Sequence, residues 1–319
     1  MKPKVLVTHE LLPEAMEFLR EQADVELGTS DVQLPHQDLL AKMSDKEGLL
    51  PLLVDKIDRE VIDRAPRLRI IANCAAGYNN IDLDYARQKG ILVTNTPGVL
   101  TESTAELTVA LILAVLRRIP QADRFVRDKK FKGWALDFWL GKDLAGAKLG
   151  IVGFGRIGRA VAARAAALGA EILYHDPERA STDVERSLKA TFLPLEDLLR
   201  TADIVSIHAA LTPETHHLLS RERLTMMKKD AVLVNVARGQ IVDEKALAEA
   251  LAGGRLWGAG LDVYEREPEI EEKLLSLDNV VLLPHIGSAT YSTRLRIAMT
   301  AARNLMQGLS GETPENLVS

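Results

Sequence analysis

The sequence predicts an α/β protein built from two doubly wound, mostly parallel sheets, and three observations predict it. Short apolar runs alternate with amphipathic helical patterns along the chain, the signature of strand–helix–strand units. The chain has 319 residues, a length that suggests about two domains. Finally, residues 148–177 read as strand, glycine-rich turn, helix, second strand and terminal acid.

Taken in order, residues 5–8, 25–27, 48–53, 68–72 and 91–94 are candidate strands. Amphipathic helical patterns fall between them at 11–21, 36–43, 58–65 and 82–89. Residues 1–100 are therefore expected to form an α/β unit in their own right, with Thr96-Pro97-Gly98 punctuating its end. A long helix starts near Thr101, with Glu106 in its first turns and Leu107, Leu111, Ala114, Val115 and Ile119 at helical spacing. It is apolar almost all round, as expected of a buried helix crossing between two domains. Residues 120–147 are less regular and set Lys129, Lys130 and Lys132 beside Phe131, Trp134, Phe138 and Trp139. Aromatics make up only 4% of the chain, so this cluster calls for a reason: local packing, or an arm that packs on a partner subunit.

From residue 148 the alternation resumes. An apolar run at 149–152 leads into Gly153, Gly155 and Gly158, spaced G-x-G-x-x-G. Ile157, Val161, Ala165 and Leu168 then share one helical face, and the strand at 172–174 ends at Asp176. Gly153 suits the tight turn, Gly155 lets backbone approach a pyrophosphate, and Gly158 lets the helix pack closely on the strand. Free N–H groups and the positive end of the helix dipole would face that pyrophosphate, with Arg156 and Ile157 offering backbone donors. Asp176 follows about 20 residues on, where an acceptor for ribose hydroxyls is expected. A carboxylate there favours NAD and disfavours the 2′-phosphate of NADP, although Arg179 lies near enough in sequence to serve such a phosphate. Further strands at 203–208, 231–235, 258–263 and 280–283 bring the expected count to six, the size of a dinucleotide-binding sheet. Helical segments fall near 195–200, 221–227 and 244–251, and a long amphipathic helix at 288–309, which Ser288 could cap, closes the chain.

Composition narrows the function. A formal net charge of −5 gives no electrostatic case for nucleic acid or an anionic membrane surface. Hydrophobic residues at 47% can fill more than one core, yet the longest apolar stretches carry charges or helix-spaced polar residues, so no membrane span is expected. The single cysteine, Cys74, excludes an intrachain disulfide and a multi-cysteine zinc site, which suits a reducing interior. The chain opens on a strand pattern rather than a signal segment, so the cytoplasm is the expected location. No metal site is expected, because neither H-x-x-x-H nor a carboxylate cluster stands out, and no G-x-S-x-G elbow supports a nucleophilic hydrolase.

Three strand ends could carry chemistry, because ligands of open α/β sheets bind beyond the carboxyl ends of the strands. Arg238, in 235-NVARGQIVDE-244, could hold a carboxylate through two parallel hydrogen bonds. Its bland alternative is a local ion pair. Asp262 ends the next strand and could meet a cofactor amide; Glu267 follows in its loop, where a solvated carboxylate is the commoner role. His285, in 283-LPHIGSAT-290, is the best acid/base candidate, although a lone histidine is more often structural.

These segments, in this order and over essentially the whole chain, resemble the D-2-hydroxyacid dehydrogenase family. GFGRIG with Asp176, NVARGQIVDE, GAGLDVYEREP and LPHIGSAT carry the likeness. The resemblance implies a Rossmann NAD domain, residues 101–285, inserted into a flavodoxin-like substrate domain formed by 1–100 and 286–319, with a cleft between them. It implies Arg238 as the anchor of a 2-oxo acid, His285 as proton donor and Glu267 as the group that orients the imidazole and stabilises its protonated form. Cofactor contacts are implied at Thr104, His208, Val236, Ala237, Asp262 and Gly287, beside those of the glycine turn. Substrate contacts are implied at Leu53, Ala75, Ala76, Gly77 and Ser288. Trp139 is similar to an aromatic that reaches a neighbouring subunit's active site, which implies a homodimer. Within the family, NCAAGYNNIDLDYARQKGILVTNTPGVLTESTAELTVAL looks most like glyoxylate/hydroxypyruvate reductases. The implied cofactor is NAD, with NADP less favoured, and the implied partner is a small 2-oxo or 2-hydroxy acid. Rival readings are a phosphite dehydrogenase, which would carry a lysine where Ala76 stands, a D-lactate-type enzyme, or a non-catalytic NAD-sensing corepressor.

Overall fold

The computed structural model describes residues 2–29 and 34–318. Two compact units emerge, one comprising 1–100 with 288–319, the other 101–287.

The first unit contains β1 (Lys4–His9), α1 (Pro13–Gln22), β2 (Asp24–Thr29), α2 (His36–Lys42), β3 (Gly48–Leu50), α3 (Arg59–Asp63), β4 (Ile70–Ala72), α4 (Leu83–Gln88) and β5 (Leu92–Thr94). Its strands pair in parallel in the order β2-β1-β3-β4-β5. Side chains alternate across the sheet. Val5, Val7, Leu50, Ile70 and Ala72 enter one core with Met16 and Leu19 of α1, whereas Leu6, Leu49, Ile71 and Val93 enter another with residues of α2, α3 and α4. Both faces are therefore covered, which is why β3 and β4 at the centre of the sheet read as unbroken apolar runs. Asp58 and Asp82 cap α3 and α4 by accepting from Val61 N and Tyr85 N.

The second unit adds α5 (Thr101–Leu116), α6 (Ile119–Arg127), β6 (Lys148–Val152), α7 (Arg156–Ala167), β7 (Glu171–His175), α8 (Thr182–Leu188), β8 (Ala190–Phe192), α9 (Leu195–Thr201), β9 (Ile204–Ile207), α10 (Arg221–Met226), β10 (Val232–Asn235), α11 (Glu244–Ala252), β11 (Gly258–Leu261), α12 (Glu272–Leu275) and β12 (Val280–Leu282). The last helix, α13 (Tyr291–Ser310), belongs to the first unit, where Ala301, Ala302 and Leu305 complete the core beside α1. The second sheet is parallel throughout and ordered β12-β11-β10-β9-β6-β7-β8. The chain winds outward from β6 in one direction and from β9 in the other, so a switch point lies between those two strands.

Four expectations need correction. The sheet has seven strands rather than six, because β8 is a three-residue edge strand, too short to show a period in the sequence. Residues 120–127, expected to be less regular, belong to α6, none of whose residues is buried; Ile119, Ala122 and Phe125 do recur at helical spacing along it. The long helix ends at Leu116, not Ile119, because Arg118 takes a left-handed conformation with φ 53°. Ser288 does not cap the final helix: Thr290 does, accepting from Thr293 N at 3.2 Å.

Candidate active site

The glycine turn lies at the carboxyl end of β6, beside the switch point. Gly153 has φ 94°, and a Cβ there would stand 2.4 Å from Ala209 N; no other residue fits. A Cβ on Gly158 would meet Gly153 O at 2.2 Å, so α7 can approach the turn only with glycine at that position. At Gly155 the opposite holds, since an added Cβ would meet open space. That is the cradle a pyrophosphate needs. Gly155 is also the N-cap of α7 and no side chain caps that end, while Arg156 and Ile157 open the helix with no acid in its first turn. The N-terminal donors and the dipole are thus left to an anion. Phe154 stacks on Tyr174 with centroids 4.0 Å apart, which stiffens the turn.

Asp176 follows β7 and ties back to the cradle, its Oδ2 accepting from Phe154 N at 2.7 Å and its Oδ1 from Glu178 N at 3.1 Å. Arg179, the residue that could serve a 2′-phosphate, is occupied instead. Its Nε and Nη2 donate to both oxygens of Glu185 at 2.9 and 3.1 Å, and Tyr174 Oη donates to the same carboxylate at 2.6 Å. His208 follows β9. Its Nε2 lies 2.8 Å from Ser206 Oγ and its Nδ1 is buried with no partner. Burial pulls its pKa down to about 3, so the ring is neutral near pH 7. An orphaned ring nitrogen beside the glycine turn suits a polar ligand there.

The second group lies beyond β10, β11 and β12, at the same edge of the sheet. Asn235 shapes the turn after β10, accepting from Ala237 N at 3.0 Å and donating to Arg238 O at 2.9 Å. Val236 and Ala237 line that turn, and Arg238 is half-buried, with Nη1 donating to Ala237 O at 2.7 Å. Burial pulls the Arg238 pKa down, while the charge of Glu267 resists the shift. Gly239 lets this turn press on the next loop, since a Cβ there would fall 1.8 Å from the carbonyl carbon of Tyr264.

Glu267 uses both oxygens. Oε1 accepts from Tyr264 N at 3.0 Å, and Oε2 lies 2.8 Å from His285 Nδ1. Burial would raise its pKa, but the His285 bond and charge, the Tyr264 N–H and the Arg238 charge together hold it below the usual glutamate value. His285 has φ 55°, a left-handed conformation rare for a non-glycine residue. Asp262 is packed beneath this strained turn, its two oxygens accepting from Ile286 N and Gly287 N, both at 2.7 Å. Burial raises the Asp262 pKa against the lowering effect of these two donors. A Cβ on Gly287 would stand 3.1 Å from Asp262 Oδ2 and 3.5 Å from Thr104 Cγ2, so these three sites interlock. With Nδ1 held by Glu267, Nε2 is the ring nitrogen left to exchange a proton.

The remaining predicted contacts belong to the first unit or to the aromatic segment. The turn at Ala75, Ala76 and Gly77 is fixed through its carbonyls, which accept from Thr96 N, Asn95 Nδ2 and Asn73 Nδ2 respectively. Leu53 is half-buried in a loop where Asp55 accepts from Leu52 N at 2.7 Å. Ser288 O accepts from Thr290 N. Trp139 packs edge-on against Phe125 and Phe138, with the Arg118 guanidinium 4.6 Å from its ring centroid.

Two supporting residues escaped the sequence reading. Asn235 is one, with only its place at a strand end as a signal. The other is Glu244, buried at the start of α11, which accepts from Glu265 N and Glu271 N, both at 2.8 Å, and so braces the loop carrying Glu267. It closes the segment 235–244 that carries Arg238, but its charge in a helix first turn is ordinary and gives no sign of this bracing role.

A parallel sheet with an anion cradle at its switch point defines the second unit as a Rossmann-type dinucleotide-binding domain. Comparison with known proteins narrows the class: residues 109–287 match the family model described as "D-isomer specific 2-hydroxyacid dehydrogenase, NAD binding domain". The chain is 49% identical to a glyoxylate reductase of Thermococcus kodakarensis, over all of this chain and 97% of that protein. A Thermus thermophilus protein of known crystal structure superposes with a TM-score of 0.92 at 48% identity, covering 99% of this chain and all of the other. An NADPH-dependent glyoxylate/hydroxypyruvate reductase of Sinorhizobium meliloti, solved with NADP and malonate, gives a TM-score of 0.89 at 33% identity, covering 100% of this chain and 97% of the other. The chain belongs to the D-isomer specific 2-hydroxyacid dehydrogenase family and is an oxidoreductase of that family. No helix among the described residues is long and apolar enough to cross a membrane.

Proposed function

We propose that this protein reduces small 2-oxo acids, glyoxylate and hydroxypyruvate first among them, to the corresponding 2-hydroxy acids, using NADH in the cytoplasm. The single observation that carries this reading is the 2.8 Å pairing of His285 with Glu267 at the sheet edge that also bears Arg238 and the dinucleotide cradle. Full-length likeness to glyoxylate reductases supports the substrate class.

In this reading the bound nicotinamide supplies the hydride to the carbonyl carbon. Arg238 binds the substrate carboxylate and polarises the carbonyl oxygen. His285 gives that oxygen a proton from Nε2, becomes neutral, and is reprotonated from solvent. Glu267 fixes the ring and balances the imidazolium charge before transfer. In the oxidative direction the same nitrogen accepts the hydroxyl proton. The contacts expected at Leu53, Ala75, Ala76, Gly77 and Ser288 form part of the same proposal.

NAD is the preferred cofactor in this reading. Asp176 presents a carboxylate where a 2′-phosphate would sit, and the nearby cation Arg179 is held by Glu185. The protein is proposed to work as a homodimer through the aromatic segment, where Phe131, Trp134, Leu136 and Leu140 are all exposed and Trp134 is 78% exposed. A patch of that kind suits burial against a second copy.

One assay tests the reading: NADH and NADPH absorbance followed with glyoxylate, hydroxypyruvate, pyruvate and, in the oxidative direction, phosphite and D-lactate. Turnover of the first two with NADH is expected. Tight NADH binding without turnover of any acid would overturn the enzyme assignment in favour of a binding role, and preference for phosphite or D-lactate would overturn the substrate. Sedimentation analysis that finds a monomer would overturn the dimer.

A further inference from the structure

Outside the groups described above, His216, His217 and Glu265 each offer one ligand atom, and these atoms all lie within 4.8 Å of one another. The two imidazoles are stacked at a tilt, with centroids 4.2 Å apart and planes at 30°. His217 Nε2 lies 2.9 Å from Glu265 Oε1. His216 is exposed, while the other two are half-buried.

The backbone sets these positions firmly. His217 takes φ 48°, and its N–H donates to Gln240 O at 2.8 Å. Gln240 Nε2 in turn donates to Glu265 O at 2.8 Å, and Glu265 N donates to Glu244 at 2.8 Å. On the other side, His216 N donates to Thr212 O at 3.0 Å, and hydroxyl bonds between Thr212 and Thr215 close that turn. Three chain segments thus meet at the cluster, each pinned through its main chain.

We infer that His216, His217 and Glu265 form a binding site for one divalent ion of the zinc class. Two imidazoles and a carboxylate are a ligand set that Zn²⁺ accepts, with water in the fourth position. Bonds of about 2 Å in a tetrahedron set ligand atoms roughly 3.3 Å apart. The present spacing reaches this by rotation of the exposed His216 ring and replacement of the His217–Glu265 hydrogen bond by two metal bonds. The ion would then cross-link the 216–217 turn to residue 265. Residue 265 shares a loop with Glu267, and Gln240 follows Arg238 by two positions, so occupancy braces the segments carrying both side chains.

The test is calorimetric titration of Zn²⁺ into the tag-free, full-length protein, with and without saturating NADH, alongside His216→Ala and Glu265→Gln. One equivalent per chain is expected, with affinity at least tenfold weaker in each variant and a thermal midpoint raised by Zn²⁺ in wild type alone. His216→Ala removes an exposed ring and should fold normally, so it keeps the test decisive if Glu265→Gln disturbs its loop. Absence of stoichiometric binding by wild type, or undiminished affinity in His216→Ala, would overturn the site. The readout is metal uptake, so it stands or falls independently of turnover.

Discussion

The glycine turn after β6 and the group around His285 lie at one edge of one sheet, yet they are held in opposite ways. The turn is made by what is missing. Glycines at 153 and 158 allow backbone to touch backbone, and the donors of α7 are left for an anion. The His285 group is made by what is added underneath. Asp262 grips two N–H groups to force a left-handed turn, and Glu244 grips two more to set the loop of Glu267. The contrast teaches that a phosphate cradle can be written locally, in contiguous residues. A hydrogen-bonded His–Glu pair drawn from distant strand ends needs further buried carboxylates to hold its loops.

The comparison can be broken at either end. Gly153→Ala forces a Cβ to 2.4 Å from Ala209 N at φ 94°. The left-handed conformation alone costs about 1–2 kcal/mol, so NADH affinity should fall at least about tenfold, measured by fluorescence titration. Both Asp262 oxygens are taken up by backbone N–H groups rather than left for the cofactor amide expected from the sequence, so Asp262→Asn should spare NADH binding and strike turnover. One of the two N–H groups would face an amide donor instead of an oxygen, leaving a buried donor unsatisfied at about 1–3 kcal/mol. The expected result is a kcat lowered roughly tenfold to a hundredfold with cofactor affinity near wild type. Equal loss of both parameters would mean that the two ends are not separately held.

Smaller effects sharpen the contrast. Glu185→Gln should release Arg179 and narrow the preference for NADH over NADPH several-fold, read as the ratio of kcat/KM values. An unchanged ratio would show that the pair plays no part in discrimination. The smallest effect is that of pH on the Glu267–His285 pair. The Glu267 pKa lies below its ordinary 4.5 in the fold, so its stabilising share is complete above that value. It is lost as acid brings the pH down through the folded pKa. The difference in Tm between wild type and Glu267→Gln should therefore shrink progressively as the pH is taken below 4.5. A constant difference would contradict the pairing.

Much of this was legible beforehand. The central strands of both sheets are apolar on both faces and announce themselves as runs; β8 did not, because three residues at a sheet edge are too few to leave a pattern. Arg238, Glu267 and His285 could be picked out by their places after buried strands and by family likeness, although each had a credible structural role when taken alone. Asn235 and Glu244 bound the same motif as Arg238, yet nothing in the sequence showed that they shape the turn and brace the loop beneath it. The His216–His217–Glu265 cluster carried no mark either, for Glu265 lies 48 residues beyond His217 and no short motif spans them.

By itself the sequence determined two parallel α/β units, the anion cradle and the family, because periodicity, glycine geometry and motif spacing are properties of neighbouring residues. Only the tertiary structure decided that Asp262 spends both oxygens on the turn of His285 and that two histidines meet Glu265. Those pairings depend on which strand ends the sheet order brings together and on which turns its loops press against. Hydrogen bonds reward spatial proximity, and proximity between distant segments is written only in the folded chain.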